Sequence, residues 1–208
     1  MILIGQFDSP FTRRVAIAMR LYGLDFEHRP WSAFGDAEKL AVYNPVVRVP
    51  TLVLDDGEAL IESTAILDYL DEIAGGGRPL IAPKGIARRQ ALKTMALACG
   101  LADKAISLVY ERVLRSEAST VWVARCHRQI ADVLQALEVD RAGRTGDYWF
   151  GADIGHADIA VACALRFLRD TSPELFDATR TPHLASHADR CEALPVFREI
   201  SQAFVAPE

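Results

Sequence analysis

The rhythm of apolar and polar positions changes partway along the chain. Ile2-Leu3-Ile4 is a short apolar run of strand length. Ser9-Pro10 follows, pairing a hydroxyl suited to a helix N-cap with a proline suited to the first helical position, where a missing N–H costs nothing. Phe11, Val15, Ala18, Met19 and Tyr22 then recur at helical spacing, and Gly23 closes the pattern. Phe26 to Arg29 predicts a second strand. Ala37 to Tyr43 predicts a short helix stopped before Asn44-Pro45. Val49 to Leu54 predicts a third strand, Asp56-Gly57 a tight hairpin turn, and Ala59-Leu60-Ile61 the return strand. Ser63 is placed to cap a helix carrying Ile66, Leu67, Leu70 and Ile73 on one stripe.

A βαβ unit gives parallel strands and a hairpin gives antiparallel ones, so the expected sheet is mixed. Gly75-Gly76-Gly77 through Pro83 has the composition of a linker. Beyond it only helical periodicity remains, in segments near 85–115, 117–142, 155–171, 182–193 and 195–204. The expected fold class is α/β plus all-α: a small domain over 1–75, a linker over 76–83 and an all-helical domain over 84–208.

Composition narrows the function classes. The chain has 208 residues, half of them hydrophobic, and 23 Lys plus Arg against 28 Asp plus Glu, a net charge of −5. That balance argues against a dedicated nucleic-acid binder. The longest apolar stretch, Ala157 to Leu168, is interrupted by Asp158 and Arg166 and falls short of the roughly 20 residues a spanning helix needs. Met1 to Gly5 lacks the basic and long apolar regions of a signal peptide, so a cytoplasmic location with no membrane association is expected. Cys99, Cys126, Cys163 and Cys191 have no zinc or thioredoxin spacing and read as reduced, inert thiols. His183, His187 and Cys191 are spaced four apart on one helix face, but Leu184, Ala188 and Leu194 mark that region as packing, and no metal site is assigned.

Three places could carry chemistry. Ser9 sits where a strand leads into a helix N-terminus, a setting that stabilises an anion. Pro50 opens a strand and cannot donate to the ladder; a cis Val49–Pro50 bond would turn the Val49 backbone toward a peptide-like ligand. Glu62-Ser63 places a carboxylate beside another helix N-terminus, the two charges an α-amino-acid group requires.

Each signal is weak, but their order on this βαβ–ββα pattern is specific. Ser9-Pro10-Phe11-Thr12-Arg13-Arg14-Val15, Asn44-Pro45, Arg48-Val49-Pro50-Thr51-Leu52, Glu62-Ser63-Thr64-Ala65-Ile66 and Gly151 to Ala160 together resemble a glutathione transferase over nearly the full chain. The resemblance implies a thioredoxin-like N-terminal domain with a four-stranded mixed sheet, followed by an all-helical domain. It implies glutathione as co-substrate, no metal, a homodimer, and an apolar electrophile held between the domains. Ser9, five residues before Arg14, would donate to the glutathione thiolate. Val49 would pair its backbone with the cysteinyl part beside a cis Pro50, Glu62 and Ser63 would hold the γ-glutamyl end, and Arg48 would reach toward the glycyl carboxylate. Phe11, Phe34 and Tyr110 are candidate walls for the electrophile. The absence of any cysteine before Cys99 argues against dithiol chemistry, and the absence of a tyrosine near the N-terminus against the tyrosine-type classes. Gly155 stands where the family's helix cap is usually Ser or Thr, with Asp158 three residues on. Arg13 and Arg14 read by default as a solvated charge pair, with a structural role for Arg14 beside the active site as the other reading. Rival readings are a non-catalytic scaffold of the same fold and a glutathione-dependent isomerase or dehalogenase.

Overall fold

The computed structural model describes residues 1–74 and 79–207. The Gly75–Gly77 run that anchors the linker expectation lies outside them. The chain divides into two compact units, Met1–Leu80 with Pro195–Glu208, and Ile81–Leu194.

The first unit contains β1 (Ile2–Ile4), α1 (Pro10–Leu21), β2 (Glu27–Arg29), α2 (Ala37–Ala41), β3 (Thr51–Val53), β4 (Ala59–Ile61) and α3 (Ser63–Ile73). The sheet order is β2-β1-β3-β4. β1 runs parallel to β2 and antiparallel to β3, and β3 is antiparallel to β4. This is the expected mixed sheet in a thioredoxin-like arrangement. Ile2 pairs with Val53 and Ile4 with Thr51, which puts these residues on one face, where Ile4 and Val53 pack with Leu40 of α2. Leu3 and Leu52, paired on the opposite face, are fully buried. Asp56-Gly57 makes the hairpin turn, with Gly57 at φ +92° and Leu54 N–H bonded to Glu58 O at 2.8 Å.

α1 departs from a one-faced stripe. Val15 to Met19 are all fully buried, and Arg13 and Arg14 are buried too, contrary to the solvated reading of that pair. The reason is that α1 is covered on more than one side: it packs on α3 and on α8 (Pro195–Glu199), whose Phe197 also supplies a carbonyl to Arg13. The stretch after α8 has no regular structure, so the helix expected over 195–204 ends at Glu199. The segment from Pro195 also joins the first unit rather than the helical one expected over 84–208. Leu80, within the expected linker, is anchored to the first unit: its N–H donates to Tyr22 Oη at 3.0 Å, and that hydroxyl donates to Asp71.

The second unit is helical: α4 (Gly85–Val113), α5 (Thr120–Ala142), α6 (His156–Thr171), a 3₁₀ turn (Pro173–Leu175) and α7 (Pro182–Glu192). α6 is buried on nearly every face and packs against α4 and α7. Gly155 caps it as expected, and the Asp158 carboxylate accepts Gly155 N–H at 2.9 Å and Trp149 N–H at 2.7 Å. His183 pairs with Glu138 at 2.6 Å, whereas His187 faces Asp158 and Cys191, each at 3.6 Å.

Candidate functional site

The site is assembled from three loops of the first unit. After α2, Asn44 is buried and works as a splint. Its Oδ1 accepts Val46 N–H at 2.9 Å, and its Nδ2 donates to Arg48 O at 2.9 Å and Thr51 Oγ1 at 3.0 Å. Thr51 Oγ1 also donates to Arg48 O at 3.1 Å. The bonds hold the 44–51 loop, in which Val47 has φ +53° and Val49–Pro50 is cis. Pro50 lies just outside β3, so the strand starts at Thr51 rather than at Val49.

The second loop ends β4. Glu62, at φ +70°, takes the N-cap position of α3 and offers no side-chain cap. Ser63 is therefore not the cap expected of it but the first helical residue. Its buried hydroxyl accepts from Arg14 Nη2 at 2.7 Å and donates to Glu62 Oε1 at 3.2 Å. Thr64 Oγ1 accepts from the same Arg14 nitrogen at 2.8 Å. Arg14 Nε and Nη1 have no hydrogen-bond partner. A buried guanidinium thus lies directly behind a helix start whose first turn is uncapped. Helix dipole and cation add there, and both favour a bound anion.

The third loop joins β1 to α1. Ser9 caps α1, its Oγ accepting Thr12 N–H at 3.4 Å. A hydroxyl has one donor and two acceptor positions, so the cap leaves its O–H able to donate elsewhere. Gly5 lets this loop approach the 44–51 loop closely. A Cβ on it would lie 2.4 Å from Thr12 Oγ1 and 2.8 Å from Val49 Cβ.

A pocket of about 220 Å³ opens among these loops, lined by Phe11, Asn44, Val46, Arg48, Val49, Pro50, Ile61, Glu62 and Ser63. It brings together Phe11 and all five residues expected to hold the tripeptide. Ser9 is half-buried and stands outside that lining, two residues before Phe11. Phe34 lies before α2, 37% exposed and outside the pocket, and Tyr110 lies on α4 of the other unit, 39% exposed. The sequence signal for Asn44 was the Asn-Pro after a helix, which suggested a stop but not the splint.

The chain matches the family models for the glutathione S-transferase N-terminal domain over residues 3–78 and the glutathione S-transferase C-terminal domain over residues 120–190. It is 30% identical over 172 residues to a probable glutathione S-transferase of Oryza sativa subsp. indica, covering 77% of this chain and 71% of that one. It is 30% identical over 185 residues to the maleylacetoacetate isomerase of Mus musculus, covering 83% and 82%. The crystal structure of a glutathione S-transferase from Methylobacterium radiotolerans, in complex with glutathione sulfonate, superposes with TM-score 0.89 at 30% identity, over 98% of this chain and 97% of that one. A second, from Methylobacillus flagellatus with glutathione bound, gives TM-score 0.86 at 25% identity, over 96% and 98%. With both domain models matched in order along the chain, and relatives at this identity spanning most of its length, the chain belongs to the glutathione S-transferase family.

Proposed function

We propose that the protein binds glutathione in the pocket of the first unit and directs its thiolate at an electrophilic, apolar small molecule. The observation that carries this reading is the convergence of Arg48, Val49, Pro50, Glu62 and Ser63 on one pocket, backed by buried Arg14. In this reading the γ-glutamyl carboxylate meets the N–H groups of α3 and the Ser63 hydroxyl, and Glu62 takes the ammonium. The Val49 backbone pairs with the cysteinyl amide, and Arg48 reaches the glycyl carboxylate. Ser9 keeps its cap bond through a lone pair and donates its proton toward the sulfur. A free thiol has a pKa of about 8.5, so about 3% is ionised at pH 7; a shift to 7 raises that to about half. Holding the electrophile beside this thiolate adds the gain of proximity. The partners proposed are a second copy of the chain and the small molecule, in the cytoplasm.

Calorimetric titration with glutathione tests the pocket: micromolar-to-millimolar binding is expected, weakened in Glu62→Gln. A Ser9→Ala variant should retain glutathione and lose conjugation rate at neutral pH. No binding at millimolar glutathione would leave only the scaffold reading. A second reading, glutathione-dependent isomerisation, draws on the 30% identity to the mouse maleylacetoacetate isomerase. The same thiolate would add to a double bond and leave again. Product that carries no glutathione, with glutathione recovered unchanged, distinguishes it from conjugation.

A further inference from the structure

Residues 200–207 form no helix or strand, yet they are tied to the loop that carries Ser9. Arg13 Nε donates to Ile200 O at 2.7 Å and Nη2 to Phe197 O at 2.8 Å, which pins the start of the segment. Gln202 Oε1 then accepts Phe7 N–H at 3.1 Å, and Asp8 Oδ2 accepts Val205 N–H at 3.0 Å. Phe7 and Asp8 are the two residues immediately before Ser9. On its other side the same loop is held by β2: the Phe7 ring stacks on His28 at 3.8 Å, and His28 Nε2 lies 2.8 Å from Gly5 O. Ser9 N–H closes the turn onto Gln6 O at 3.2 Å. The segment contributes Ile200 to the core but leaves Ser201, Ala203, Val205 and Ala206 exposed. Its polar bonds to the loop are therefore a large part of what it does there.

We propose that residues 200–207 act as a strap that positions Ser9, with Gln202 and Asp8 as the positioning residues. Resting on the reading of Ser9 as the thiolate donor, the strap fixes where the β1–α1 loop delivers that hydroxyl. No residue of the strap lines the pocket that holds Glu62 and Ser63. Losing Gln202 removes one bond to the loop and lets the hydroxyl point over a wider range, so the bound thiol ionises less readily.

The test uses the full chain with glutathione as the probe. The pH midpoint of thiolate ultraviolet absorbance for bound glutathione and the calorimetric Kd are measured for wild type, Ser9→Ala, Gln202→Ala, Gln202→Glu and the Ser9→Ala/Gln202→Ala double variant. Gln202→Ala should raise the midpoint so that the thiolate fraction falls by about fivefold, the scale of one neutral hydrogen bond. Its Kd, measured well below the thiol midpoint, should stay within about twofold. Gln202→Glu keeps the acceptor oxygen and should restore the midpoint. The double variant should match Ser9→Ala alone. If Ser9→Ala shifts the midpoint and Gln202→Ala does not, or if the two shifts add, the strap does not act through Ser9 and the proposal is overturned. If Ser9→Ala leaves the midpoint in place, the reading of Ser9 fails, and the strap's role falls with it. Changed Kd with an unchanged midpoint in Gln202→Ala would place the strap's effect on the receptor instead, which also overturns the proposal.

Discussion

Replacing Gly5 with alanine attacks the point where two loops of the site meet. Gly5 has φ +135°, a region that side-chain-bearing residues rarely enter, and its N–H is bonded to Arg29 O at 2.9 Å. Backbone relaxation would therefore tear at the β1–β2 edge. The new methyl would meet Thr12 Oγ1 at 2.4 Å, Val49 Cβ at 2.8 Å and Thr12 Cγ2 at 3.1 Å. Thr12 is fully buried and β-branched, so it cannot swing away. The strained φ costs about 1–3 kcal/mol. Overpacking against stiff neighbours costs about another 1–3. The sum, about 2–6 kcal/mol, is a large part of an ordinary domain's stability. Hydrogen exchange resolved to β1 and α1 reads this loss in the first unit directly. Thr12 Oγ1 has no hydrogen-bond partner, so Thr12→Ala removes the two Thr12 contacts without breaking a bond and leaves the one to Val49 Cβ. Adding it to Gly5→Ala should recover part of the overpacking share and leave the Val49 contact and the φ share. A Gly5→Ala protein within about 0.5 kcal/mol of wild type would refute the close-approach argument. So would a double variant no more stable than the single one.

Arg14→Met should cost about 1–3 kcal/mol of stability, because relief of a buried cation only partly offsets the loss of its hydrogen bonds to Ser63 and Thr64. It should weaken glutathione binding about tenfold in a calorimetric titration; unchanged affinity would deny Arg14 its electrostatic part. In the helical unit, burial pulls His187 down to about 4 and pushes Asp158 up to about 6. The folded state thus binds fewer protons at His187, and stability is lost as pH falls from about 6.5 toward 4. It binds more protons at Asp158, and stability is gained as pH falls from about 6 toward 4, each effect being about 3 kcal/mol and opposite in sign. His187→Gln removes the first effect, so urea midpoints should rise relative to wild type as pH falls from about 6.5 to about 4; parallel curves would contradict the burial effect at His187.

Much of the first unit was legible because its signals are local. The hairpin at Asp56-Gly57, the Ser9-Pro10 helix start and the apolar runs of β1 and β4 fall where periodicity and turn chemistry put them. What was not legible depends on partners distant in sequence. Ser63 follows the N-cap rule for a serine before an apolar stripe, but a positive φ at Glu62 starts the helix one residue early, and the hydroxyl turns to Arg14. Arg13 and Arg14 look solvated until α8 and α3 arrive to cover them, 184 and 50 positions along the chain. The pocket residues were found through motif resemblance, whereas the strap carries no motif. Its bonds run through backbone groups of Phe7 and Val205, which any sequence supplies equally.

Helix α1 carries a candidate functional group at each end of its first turn and a half. Ser9 starts it, and Arg14, five residues on, reaches across to the opening of α3. At 1.5 Å per residue, that separation is about 7–8 Å along a rigid rod. The candidate donor and the guanidinium behind the candidate anion receptor are therefore spaced along α1 by a helical ruler. Changes in loop length elsewhere in the domain can alter what the pocket admits without altering this spacing. A lineage could vary the walls freely while keeping this one measure fixed.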